Sequence, residues 1–194
     1  MTKTILSFIF FLFLTTPPAE SGEFIFQEKN ASLQGKINYT VIGTYAAGFQ
    51  KFHGTVFYDE KEKMITQVDV EIDATTIYSR HKILDRIVRS PRLLDVKKYP
   101  LIRFQSKDIK RQEENFIVTG TLDMHGTKRI LSFVFAAEKP EAPAPDKMIL
   151  EANGKWIVNR KDFGIIWNPI LDQGGIIVGN HMTIDWQTEA VQVR

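Results

Sequence analysis

The sequence contains no cysteine. That excludes disulfides, thiolate nucleophiles, iron–sulfur clusters and cysteine-ligated zinc. Its four histidines, His53, His81, His125 and His181, lie far apart, and none stands in HxH or HExxH spacing. No GxSxG elbow, glycine-rich phosphate loop or Ser/His/Asp order is present, so no catalytic residue and no metal ligand is nominated. Charge of one sign is also scarce. The chain has 25 Lys and Arg against 23 Asp and Glu, a net charge of +2, whereas nucleic-acid binding draws on many clustered cations. Beyond Leu14 no apolar run approaches the ~18 residues of a membrane-spanning helix.

What is present is a chain of 194 residues, 43% hydrophobic and 11% aromatic, enough for one domain with a sizeable core. Lys3 followed by the apolar run Ile5–Leu14 reads as a secretory leader, because the run is shorter than the roughly 20 residues that span a bilayer. Ala19 and Ser21 suit a cut before Gly22; a cut after Ala19 is the alternative. No cysteine follows to carry a lipid, so no stable membrane anchor is expected. The domain reading is a leader over residues 1–21 and one folded domain over residues 22–194, exported to the periplasm or secreted.

From about Phe24 onward the dominant signal is period-2 alternation in short runs, which predicts about eight antiparallel strands. Ile37, Tyr39 and Val41 share one parity, as do Val68, Val70 and Ile72, then Ile102 and Phe104. Phe116, Val118, Leu122 and Met124 follow, then Leu131, Phe133 and Phe135, and finally Met182, Ile184 and Trp186. Residues 59–63, 107–114 and 125–128 read as turns, and the Pro-rich stretch 138–147 as a surface loop. One segment, Ser79 to Asp95, switches to helical spacing, with Ile83, Leu84, Ile87 and Val88 as its apolar stripe and Ser79 as its N-cap. The fold class is therefore all-β: an extended, eight-stranded antiparallel barrel with one short helical excursion that closes an end. Periodicity leaves two interiors open, one packed solid and one hollow, because eight strands are wide enough for either.

Three motifs, in order, resemble the YceI-like family of lipid-binding proteins. They are DATTIYSR…DRIVRSPRLLDVKKYPLIRFQSKDI, then VTGTLDMHGTKRILSFVF with Gly120, Leu122 and Gly126, then VNRKDFGIIWN…LDQGGIIVGNHMTIDWQTEAV. The resemblance implies a lipocalin-like barrel whose cavity holds a long-tailed amphiphile: a polyisoprenoid quinone, a fatty acid or a fatty amide. It further implies no enzymatic activity, no cofactor beyond that lipid, and a homodimer. Where relatives carry a histidine in the first long strand, this chain reads Tyr39–Gly43 without one.

With a hollow interior, strand parity nominates the lining. The first strands contribute Ile37, Tyr39, Val41, Phe52, Val56, Val70 and Ile72. The middle strands contribute Ile102, Phe104, Val118, Leu122, Leu131, Phe133 and Phe135, and the last contribute Trp156, Val178, Met182, Ile184 and Trp186. Ile83, Leu84 and Ile87 of the helical stripe close one end. Arg160, Asp162, Phe163 and Gly164 have two readings: a polar anchor beside the pocket, or a structural turn in which Gly164 supplies an unusual backbone angle and Asp162 bonds local amides. The alternative function is an exported stress-response or structural module with a packed barrel and no ligand.

Overall fold

Strands with one apolar and one polar face bury the apolar face by curling the sheet upon itself. The computed structural model, which describes residues 21–39, 43–144, 147–167 and 178–193, shows this outcome. Its strands are β1 (Ser21–Gln27), β2 (Ala31–Tyr39), β3 (Gly43–Phe49), β4 (Phe52–Asp59), β5 (Met64–Asp73), β6 (Ile77–Tyr78), β7 (Leu101–Gln112), β8 (Asn115–Met124), β9 (Thr127–Ala137), β10 (Glu141–Ala144), β11 (Lys147–Asn159) and β12 (Val178–Gln192). Among the described residues one α-helix, α1 (Lys82–Arg89), stands with them.

The consecutive pairs β1/β2, β3/β4, β5/β6 and β9/β10 are each one long strand with a local break. β1 and β2 lie in line along one edge of β12, and β4 and β3 pair with β1 and β2 in turn. β5 and β6 pair with β4 and β3 in the same manner, while β9 and β10 share one edge of β11. Counted this way, eight antiparallel strands form a closed ring, with β12 bonded to β11 on one side and to β1/β2 on the other. The fold is the expected lipocalin-like barrel.

One wall is weaker than the rest. β9 and β11 share three residue pairs, Phe135–Gly154, Ala136–Asn153 and Ala137–Ala152, and then diverge. Above that point the gap is filled by side chains, chiefly the Phe133 ring stacked on Trp156 at 4.3 Å between centroids.

Two predicted connections turn out to be strand. Residues 107–112 continue β7 through a bulge at Lys107, where the register with β8 shifts between Ser106 and Asp108. The extra residue reverses the parity, so Ile102 and Phe104 point inward before it and Ile109 after it. In the sequence that reversal looks like the end of alternation. Likewise, the stretch 138–147 contains β10, which pairs Glu141 with Ile149 and Ala144 with Lys147. Pro143 is tolerated there because a proline can sit on an edge strand without leaving a ladder bond unmade.

The helix also differs from expectation in two details. Its first residue is Lys82, and Ser79 lies two residues before the N-cap position, His81, whose N–H its hydroxyl accepts at 2.9 Å. Ile83 does not belong to the inward stripe. At 100° per residue it falls outside the arc of Leu84, Ile87 and Val88, and it is 72% exposed.

Gly120 shows how tightly the interior is packed where β7 and β8 meet. It faces inward on β8, and a Cβ there would meet the Phe104 ring and lie 2.5 Å from the Gln105 carbonyl oxygen. The carbonyl belongs to the β7 backbone and cannot swing aside. Gly120→Ala is therefore expected to lower stability by about 1–3 kcal/mol, seen as a reduced midpoint in urea unfolding with an unchanged slope.

Candidate functional site

The interior is divided along the barrel axis. At one end Phe24, Phe26, Val56, Val118, Phe116, Phe135 and Leu150 are buried against one another. Rings interlock through this end: Phe116 stacks on Phe135 at 5.3 Å, and Phe135 contacts Trp186 at 5.9 Å. The series Phe104–Phe133–Trp156 crosses toward the other end, with centroid separations of 5.4 and 4.3 Å. Trp156 is its last member, and its free face forms part of the wall of a cavity.

That cavity lies at the α1 end and holds about 190 Å³ of space for the centres of water-sized spheres. Its wall is almost wholly hydrocarbon. β2 contributes Leu33, Ile37 and Tyr39; β3 contributes Tyr45 and Ala47; Ile72, Ile77 and Ile102 follow. Leu84, Ile87 and Val88 of α1, with Leu93 and Leu94 beyond it, cover the top. Leu122, Met124, Trp156, Val158, Val178, Met182 and Ile184 complete the barrel side, and Ile165 and Trp167 the rim.

Strand parity thus brings Ile37, Tyr39, Ile72, Ile102, Leu122, Trp156, Val178, Met182 and Ile184 to the cavity, joined by Leu84 and Ile87 from the helix. It does not bring the others. Val56, Val118 and Phe135 are buried inside the packed end, and Phe104 is buried at its boundary. Val70, Leu131, Phe133 and Trp186 are half-buried against the core, while Phe52, paired with Ile72, is buried without reaching the cavity wall. Ile83 faces solvent, and Val41 lies outside the described residues. The reason is that inward parity says which side of the sheet a residue occupies, not how far along the axis it sits. The strand positions missed follow from the same rule: Leu33 extends the β2 parity, Met124 that of β8 and Val158 that of β11, while Tyr45, Ala47 and Phe49 share one parity of β3. Leu93 and Leu94 carry no strand signal.

Among the described residues Arg160 is the one charged side chain buried in this wall, with 1% of its surface exposed. It opens a 3-10 turn, Arg160–Phe163, whose first amide is capped by the Asn159 side chain rather than by Asp162. Gly164 ends the turn at φ +73°, the left-handed region that favours glycine. The Arg160 guanidinium donates to four backbone carbonyls: Nε to Gly179 at 2.7 Å, Nη1 to Ile165 at 2.6 Å and Trp167 at 2.9 Å, and Nη2 to Val178 at 3.1 Å. All but one of its N–H donors are thereby used. Burial pushes its pKa down from the usual value. The two readings of this motif converge: Arg160 sits at the cavity, and its work there is to tie the rim segment to the start of β12. Phe163 is buried, and the exposed Asp162 offers its carbonyl to Arg129 Nε at 2.9 Å.

A second polar knot holds the helix down. Asp85 is 4% exposed. Its carboxylate accepts from Tyr45 Oη at 2.8 Å, from Ser79 Oγ and from the Ser79 amide at 3.0 Å. Burial pushes this carboxyl up, but the hydrogen bonds from Ser79 and Tyr45 and the nearby Arg89 cation outweigh it and hold the pKa below the usual range. Burial and then the Asp85 contact raise the Tyr45 phenol well above its own. No strand alternation flags Asp85; an acid beside a helical apolar stripe is the only signal.

Comparison with known proteins adds the following. The family model described as YceI-like domain matches residues 24–190. Protein YceI of Salmonella agona is 29% identical over 170 residues, covering 85% of this chain and 88% of that protein. Among solved structures, BcnA of Burkholderia cenocepacia superposes with a TM-score of 0.68 at 18% identity, covering 84% of this chain and 96% of that one. A polyisoprenoid binding domain from Saccharophagus degradans superposes with a TM-score of 0.62 at 9% identity, covering 89% and 98%.

Two outcomes follow from the polar contacts. Arg160→Met leaves four carbonyls without their donor and is expected to cost about 3 kcal/mol or more, measured by urea unfolding. The lowered Asp85 pKa means its network stabilises the fold above the unfolded carboxyl value of about 3.9. That contribution is lost as pH falls through the lower folded pKa. In thermal melts from neutral pH down to about pH 3, Asp85→Asn should melt lower than the parent at neutral pH and show a shallower decline on acidification.

Proposed function

The chain belongs to the YceI-like domain family, and from that membership and its apolar end cavity we propose that it is an exported lipid-binding protein. Its ligand is a long-tailed amphiphile of the polyisoprenoid quinone, fatty acid or fatty amide kind, which it sequesters or carries through an aqueous compartment. The observation that carries this reading is the composition of the cavity wall. Aliphatic and aromatic side chains line it, and the single buried cation, Arg160, has spent its donors on carbonyls. Such a wall offers an incoming molecule contact area and almost no polar recognition.

The energetics suit a tail. Each CH₂ moved from water into such a site contributes about 0.8 kcal/mol, so a modest length of chain suffices for tight binding. The head group then stays at the rim, where specificity is set by a few polar contacts. The Phe104–Phe133–Trp156 series limits penetration to the α1 end, so only part of a long tail is housed at once. No Asp, Glu or His lines the cavity among the described residues, which supports binding without chemical turnover. The homodimer belongs to the same proposal and is read from light scattering of the purified protein.

Native mass spectrometry of protein purified from its own compartment without detergent, followed by organic extraction, tests the carrier reading directly. A stoichiometric prenyl or acyl species is expected. An empty protein that also fails to take up added quinone or fatty acid would transfer the reading to the ligand-free interaction module.

Substitution separates the two ends of the barrel. Leu122→Trp and Met182→Trp fill the cavity and should reduce uptake at least about tenfold with little change in melting temperature. Val118→Trp overpacks the closed end instead and should cost about 1–3 kcal/mol of stability.

A further inference from the structure

We infer that the rim of the cavity is a docking surface for an anionic lipid membrane. Purpose is lent to this surface by the lipid-binding reading above, but its geometry and charge stand apart from it. Between Ser79 and Tyr99 the chain carries seven cations, Arg80, Lys82, Arg86, Arg89, Arg92, Lys97 and Lys98, against two acids, Asp85 and Asp95. That is +5 in a molecule whose total is +2, so the remaining residues carry 18 cations against 21 acids, or −3. The near-neutral total conceals a polarised molecule.

The polarity is aligned with the cavity. α1 turns Leu84, Ile87 and Val88 into the pocket and leaves Lys82 and Arg86 exposed. Of the two acids, Asp85 is buried and held by Tyr45 and Ser79, so the charges this helix exposes to solvent are cationic. Arg89 is occupied too, donating to the Ile77 carbonyl. Arg92 reaches across the rim and lies 5.9 Å over the Trp167 ring, joining the basic segment to the residues on the other side of the mouth.

Each side of that rim also exposes one large apolar side chain: Ile83 at 72% and Ile166 at 71%. Ile166 stands between Ile165 and Trp167, which both line the cavity. Cations beside isolated exposed aliphatics are what an interfacial bilayer site uses, the cations meeting head groups and the aliphatics entering the acyl boundary. A nucleic acid would leave Ile83 and Ile166 without a partner. Because the rest of the protein is net negative, an anionic surface repels it and attracts the rim. The mouth is thereby turned toward the lipid.

The test uses sedimentation with phosphatidylcholine vesicles, with and without phosphatidylglycerol. The parent should bind the phosphatidylglycerol vesicles far more tightly than the neutral ones, and added salt should weaken it. Each Lys or Arg near such a surface is worth about fivefold in affinity. The triple variant Arg80→Glu, Lys82→Glu, Arg86→Glu should therefore lose about 100-fold or more, and Ile83→Ser several-fold.

Uptake of an uncharged fluorescent prenyl alcohol in vesicle-free buffer is measured in parallel, together with melting temperature, and the triple variant should match the parent in both. Vesicle binding that persists when the parent takes up no probe supports the docking surface while removing the cavity reading. Equal affinity for neutral vesicles, or undiminished binding by the triple variant, overturns the docking surface. So does preferential capture by polyglutamate, which would assign the rim to an acidic protein.

Discussion

The interior exists only because β12 has both of its edges occupied. It runs along β11 on one side and along β2 and then β1 on the other, so the last strand of the chain seals the first. Nearly every other strand pairs with a sequence neighbour, and those pairings alone would give an open sheet with two exposed edges. Closure converts the inward parity from one face of a sheet into an enclosed volume. Cavity and packed end alike are consequences of that single long-range union, made across almost the whole length of the chain.

Having enclosed a volume, the sequence fills it unevenly. Phe24, Phe26, Phe116 and Phe135 crowd the packed end, while the end under α1 is walled by branched aliphatics together with aromatics set around its sides. Rings stack in depth and leave no void; Ile, Leu and Val on opposite walls do not span the barrel. Two ionised side chains are buried in this interior, and each is met by several hydrogen-bond partners. Arg160 is solvated by carbonyls, and Asp85 by hydroxyls and an amide with the Arg89 cation nearby. Both knots secure parts of the mouth, the rim segment in one case and the helix in the other.

The fold was readable because alternation is a local signal and this chain keeps to it. Its failures were local as well: the bulge at Lys107 imitates a turn by reversing parity, and β10 hides behind its prolines. The site was readable only in part, for a different reason. Periodicity ranks Val118 and Leu122 alike, yet one lies in the packed end and the other on the cavity wall. Depth along a barrel depends on strand tilt and register, and no window of sequence contains either. The four carbonyls of Arg160 are illegible because backbone acceptors have no letter in the sequence, and the Asp85–Tyr45 bond because its partners lie 40 residues apart.

The short ladder between β9 and β11 gives the barrel an uneven stiffness. Where the other walls of the cavity are laddered, as between β5 and β7 at Ile72–Ile102 and between β11 and β12 at Trp156–Ile184, the spacing is fixed by hydrogen bonds, and a ladder can slip only in whole residues. Above the Phe135–Gly154 pair the wall is instead a ring laid on a ring, Phe133 against Trp156. Stacked faces slide and part by fractions of an ångström, at a cost that rises smoothly. The girth of the cavity is thus set by an elastic seam on one side and by laddered strands on the others, and it can widen or narrow slightly without any strand changing its partner.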